Sequence, residues 1–171
     1  SFAVHTPQFF FAQDRHLAEE AFAGDVVGIP NHGALRIGDT LTEGEDIQFT
    51  GVPHFAPEIL RRVRLDDAMK AKKLKQALVQ LAEEGVVQLF RPQDGAPPIV
   101  GVVGTLQLDV LQARLKAEYG VGIGFDSTPY SLARWITGPR DKIEAFAGVN
   151  RAAMADDLDD DPVFLATSSF M

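Results

Sequence analysis

The sequence predicts an α+β chain: a partial β-barrel segment over residues 1–50, then a domain whose elements alternate as βαββαβ, extended by a further βαβ unit. Three observations carry that prediction. Short β-branched runs near the start are bounded by glycine turns. Two leucine stripes, Leu74, Leu78, Leu81 and Leu108, Leu111, Leu115, recur at helical spacing. Between and after them stand apolar runs too short for helices.

In the first part, Val26, Val27 and Ile29 form one apolar run between the Ala23-Gly24-Asp25 and Pro30-Asn31-His32-Gly33 turns. Ala34 to Ile37 form a second, closed by Gly38-Asp39. This is the pattern of a small barrel or meander rather than of a catalytic loop. Residues 51–57, with Pro53 and Pro57, read as a linker.

Beyond the linker, residues 58–65 read as a strand with Ile59, Val63 and Leu65 on one face. Asp66 or Asp67 can cap a helix over about 68–84, and Gly85 ends it. Residues 86–90 and 99–103 are the next strands, separated by a turn or loop over 91–98 that includes Arg91 and Pro92. Thr105 is placed to cap the second helix, Gly120 stops it, and 121–125 returns as a strand. Two such halves make the ferredoxin-like arrangement, a four-stranded antiparallel sheet with both helices on one face. A strand over 130–137, a short helix begun at Pro139 and a last strand over 163–167 extend the sheet.

Composition bounds the function. A chain of 171 residues with 46% hydrophobic and 23% charged content can bury a good core. It has no cysteine, hence no disulfide and no thiolate chemistry, which fits a reducing, cytoplasmic setting. Phe9-Phe10-Phe11 is too short for a signal core or a membrane span. Ser1-Phe2-Ala3-Val4 reads as a start inside a domain.

The net charge of −8 disfavours nucleic acid until its distribution is considered. Arg61, Arg62, Arg64, Lys70, Lys72, Lys73 and Lys75 hold seven of the 16 basic residues, whereas Asp156, Asp157, Asp159, Asp160 and Asp161 concentrate acid near the other end. Such a basic run is either a solvated strand edge and helix face or a contact for RNA phosphates.

Other chemistry is absent from the pattern. His5, His16, His32 and His54 lack metal-binding spacing. A calcium loop starting at Asp157 would need glycine where Pro162 stands and glutamate where Ser168 stands, so the acidic run reads as a solvated connector. Gly101-Val102-Val103-Gly104 reads as packing glycines at a strand-to-helix turn. Trp135, beside Arg134, reads as a core residue sooner than a stacking platform. No G-x-x-x-x-G-K-[ST] phosphate loop and no nucleophile elbow occur.

The run A-G-D-V-V-G-I followed by I-G-D-T-L, from Ala23 to Leu41, resembles the second domain of translational GTPases. Gly104-Thr105-Leu106-Gln107-Leu108-Asp109, with Ala113 to Val121, is similar to the third domain of elongation-factor-G-like members. Phe49 to Glu58, Leu78 to Gly85, Val87 to Pro92 and Ala133-Arg134-Trp135 resemble the peptide chain release factor 3 family in particular.

The resemblance implies the end of the barrel domain II at 1–50 and domain III at 58–171. The parent would be a bacterial termination GTPase that binds the ribosome and promotes dissociation of class-I release factors after peptide release. Its partners would be small-subunit rRNA and ribosomal protein and, indirectly, the class-I factors, with no membrane. GTP or GDP and Mg²⁺ would belong to an amino-terminal domain of the parent, leaving this chain no cofactor, no metal and no catalytic residue. Ribosome contacts would come from Arg61, Arg62, Arg64, Lys70, Lys72, Lys73 and Lys75, with Asn31 and His32 of the barrel turn. The competing expectations are the corresponding region of an elongation-factor-G-like GTPase and a free-standing α+β protein-binding adaptor.

Overall fold

The structure is a computed structural model that describes residues 7–11, 14–17, 19–30, 35, 37–47, 49 and 55–168. The chain divides into two units, 1–49 and 50–171.

In the first unit, β1 (Gln8–Phe11) pairs antiparallel with β2 (Asp14–Leu17) on one side and with β3 (Val27–Gly28) on the other. The register sets Gln8 opposite Leu17 and Phe9 opposite Val27. Asp25 closes the turn before β3: its carboxylate accepts from Phe22 N at 2.8 Å, and Gly24 supplies the φ of +98°. The expected run over 26–29 is thus a two-residue strand. The second expected run, 34–37, lies partly outside the described residues, and its last residue, Ile37, stands in a turn with Gly38. The hairpin of β1 and β2 was not anticipated from the sequence.

The second unit carries one seven-stranded sheet in the order β7-β4-β6-β5-β9-β10-β8, with every pairing antiparallel. Its members are β4 (Ile59–Leu65), β5 (Gln88–Pro92), β6 (Ile99–Val102), β7 (Ile123–Ser127), β8 (Leu132–Trp135), β9 (Met154–Asp156) and β10 (Pro162–Ala166). The first four strands and the helices α1 (Ala71–Glu83) and α2 (Thr105–Tyr119) form the ferredoxin-like half. Val63, Leu89, Val100, Val102 and Ile123 project from one face and meet Leu74, Ala77, Leu78 and Leu81 of α1 and Leu108, Leu111 and Leu115 of α2. Each buried leucine contributes about 1.5–3 kcal/mol.

The helix ends follow local chemistry. Asp67 accepts from Met69 N at 3.0 Å and opens a 3₁₀ turn over Ala68–Lys70 that leads into α1. Gly85 at φ +74° ends that helix, and Gly120 at φ +63° ends α2. Thr105 is the first residue of α2 rather than its cap: the Gln107 carboxamide oxygen reaches back to Val103 N at 2.8 Å and Gly104 N at 3.1 Å. Arg114 ties the helices together, pairing with Glu84 and Glu118, each at 2.6 Å.

The extension is a βαββ unit, with β9 added to the expected elements. Helix α3 (Arg140–Val149) begins directly after Pro139, and its Phe146 meets Phe164 edge-on at 5.3 Å. Strand β9 binds the free edge of β5, with Arg91 opposite Asp156 and Pro92 opposite Ala155. Arg91 and Pro92, expected in a loop, therefore end β5. Proline is tolerated there because a strand's end loses little by lacking one donor. Leu60, Phe90 and Ile99, on the face away from α1 and α2, join one core with Ala133, Ala155, Val163 and Leu165. These strands are not all sheet neighbours, so the extension curls over the second face of the ferredoxin-like half. Pro57 packs into the same region against Gly101 and Phe90.

One further expectation is corrected and another refined. Trp135 is 43% exposed instead of core: its ring stands 6.0 Å from that of Phe90, and its Nε1 donates to Asp157 Oδ2 at 2.7 Å. The acidic run is a built hairpin turn between β9 and β10. Asp157 Oδ1 accepts from Asp159 N at 3.0 Å and Asp161 N at 2.9 Å, while Asp160 pairs with Arg91 at 2.7 Å.

Candidate functional site

The basic residues singled out in the sequence scatter over two faces of β4 and three sides of α1. Alternation places Arg61 with Ile59, Val63 and Leu65, half-buried on the helix-covered face, where it donates back to Leu60 O at 2.9 Å. Arg62 and Arg64 share the opposite face. Arg62 donates to Pro97 O at 3.3 Å, and Arg64 crosses Gly124 to pair with Asp126 at 2.8 Å. A Cβ on Gly124 would run into that guanidinium, so the glycine permits the pairing.

Lys70 has a local task. Its ammonium donates to Gly120 O at 2.7 Å, at the carbonyl end of α2, where a cation is favoured by the helix dipole. Lys72, Lys73 and Lys75 are exposed and make no ion pair with a described residue. Lys72 points away from the leucine stripe, whereas Lys73 and Lys75 flank it on opposite sides, Lys75 on the side of Val79. Asn31 and His32 lie outside the described residues.

Four basic residues line one groove. Strand β6 begins only at Ile99, opposite Arg62, and β4 runs three residues further. The last backbone bond across this gap is from Val63 N to Pro98 O, at 2.9 Å. Beyond it a groove of about 710 Å³ opens between α1, the end of β4 and the 93–98 loop. Its lining includes Val63, Leu74, Leu78 and Leu89 below and Arg62, Arg64, Lys75 and Arg91 around. Arg91 was not among the residues picked from the sequence. Its only signal was proximity to Pro92, because the partner strand that places it is sixty-odd residues away.

No G-x-x-x-x-G-K-[ST] run occurs in the sequence, and among the described residues no cluster of His, Asp or Glu could hold a metal. Among the described residues no helix is long and apolar enough to cross a membrane.

Residues 49–171 match the sequence family described as "Class II release factor RF3, C-terminal domain". The chain belongs to the class II release factor RF3 family. Residues 1–44 match "Elongation factor G domain 2". Peptide chain release factor 3 of Nitrosomonas eutropha is 49% identical over 162 residues, 94% of this chain and 30% of that protein. The chain thus spans about a third of the length of this release factor 3 relative. A crystal structure from Thermus thermophilus superposes with a TM-score of 0.54 at 26% identity, covering 72% of this chain and 20% of that one. The release factor 3 assignment and the α+β fold agree with what the motifs implied.

Proposed function

We propose that this chain is the non-catalytic carboxy-terminal part of a cytoplasmic translation-termination GTPase, with residues 1–50 the end of its barrel domain II and residues 58–171 its domain III. The parent binds GTP or GDP with Mg²⁺ in another domain, docks on the ribosome and promotes dissociation of class-I release factors after peptide release. Release factor 3 membership supports this reading. The observation that carries the docking role is the set of exposed lysines on α1, Lys72, Lys73 and Lys75, which have no carboxylate partner among the described residues on a chain of net charge −8. Phosphate oxygens of rRNA would supply the missing anions.

The test is ribosome co-sedimentation of the full-length parent carrying Lys72→Gln and Lys73→Gln across a salt series. Removing one lysine–phosphate pair lowers the salt slope by about one unit. Wild-type affinity together with a wild-type slope would return these lysines to a solvated helix face.

A further inference from the structure

We propose that the groove between α1, the end of β4 and the 93–98 loop is a docking site for an acidic segment of a partner protein that inserts one aliphatic or aromatic side chain. At about 710 Å³ it falls in the size range of recognition pockets. Its apolar floor, Val63, Leu74, Leu78 and Leu89, belongs to the main core and is held rigid by it. Its walls are low, because Ala68, Ala71, Gly95 and Ala96 stand where larger residues would fill the gap. Charge selects the occupant. Arg62, Arg64, Lys75 and Arg91 border the opening; Arg64 is engaged by Asp126, the one carboxylate lining it, and Arg91 by Asp160 of the β9–β10 turn, which leaves Arg62 and Lys75 as the cations with no carboxylate among the described residues. This local cationic excess opposes the net charge of −8. An RNA backbone would satisfy the cations but leave the apolar floor empty, whereas a segment with a hydrophobic anchor flanked by Asp or Glu uses both.

The inference shares Lys75 and Arg62 with the basic surface described above but is tested without ribosomes. The full chain, methyl-labelled for NMR, is titrated with a twelve-residue peptide bearing one central Leu flanked by Asp and Glu. Parallel titrations use the same peptide with Ser for Leu, and an oligouridylate of equal charge. The expected result is saturable shifts at the Leu74 and Leu78 methyls, with binding about tenfold weaker or more for the Ser peptide. Binding should also weaken about tenfold in Lys75→Glu. Ala71→Phe, at an exposed position on the rim, should block the groove. The proposal is overturned if those methyls do not shift, if the Leu and Ser peptides bind equally, or if oligouridylate produces the same shifts. Because Lys72 and Lys73 take no part, failure here leaves the ribosome reading standing, and failure of ribosome docking leaves this one standing.

Discussion

A Cβ placed on Gly101 would stand 2.7 Å from Cβ of Pro57 and 2.8 Å from the ring of Phe90. Neither neighbour can yield: the proline ring is rigid, and Phe90 is fully buried. Gly101→Ala should therefore destabilise by about 1–3 kcal/mol, seen as a Tm lower by about 2–4 °C per kcal/mol. Gly104→Ala is the control, since its added methyl would meet nothing within 4 Å. Equal melting curves for the two variants would remove Gly101 from the list of packing glycines.

Lys70 separates from the other lysines of its run. Losing its bond to Gly120 O in Lys70→Gln should cost about 0.5–1.5 kcal/mol. Lys72→Gln and Lys73→Gln should stay within about 0.5 kcal/mol of wild type. Urea denaturation of the three variants decides the point, and an unchanged midpoint for Lys70→Gln would show that the bond contributes nothing.

Acid should reveal the Arg114 bridge. The hydrogen bond from Arg114, aided by its charge and opposed by desolvation, holds the Glu118 carboxyl below its usual value. Arg114 is pushed upward by Glu118 and then Glu84, so it stays charged and only the carboxylate titrates. A depressed folded-state pKa means stability that is present above the unfolded value of about 4.3 and is lost as pH falls through the folded value. Glu118→Gln should therefore be slightly less stable than wild type at pH 7, and the difference should close in strong acid. A gap of constant size from pH 7 to pH 2 would assign the effect to packing.

Calorimetric titration of the chain with GTP and Mg²⁺ should give no stoichiometric heat, because no phosphate loop occurs in its sequence. Micromolar, Mg²⁺-dependent binding would overturn its placement in a non-catalytic part.

The ferredoxin-like half was legible because its signals are local. The Leu74 and Leu108 stripes, Gly85 and Gly120 each act within a turn or two of helix, and their spacing survives in a single sequence. What was missed depends on partners far along the chain. Strand β9 has three residues and exists because β5 and β10 flank it. Trp135 looked like core because strand position says nothing about which side receives a neighbour. The basic cluster was legible as composition but not as a surface, since alternation along β4 sends Arg61 one way and Arg62 and Arg64 the other. Arg91 joins the groove through a sheet pairing that no local pattern announces.

The curl of the extension over the sheet also has a timetable. As the chain is synthesised, α1 and α2 can cover their face once Ser127 has emerged, but Leu60, Phe90 and Ile99 must wait for Val163 and Leu165. At about 5–20 residues per second, that leaves a greasy, unpaired plane in the nascent chain for about 2–8 s. In that interval a holdase chaperone would find its best grip on this chain.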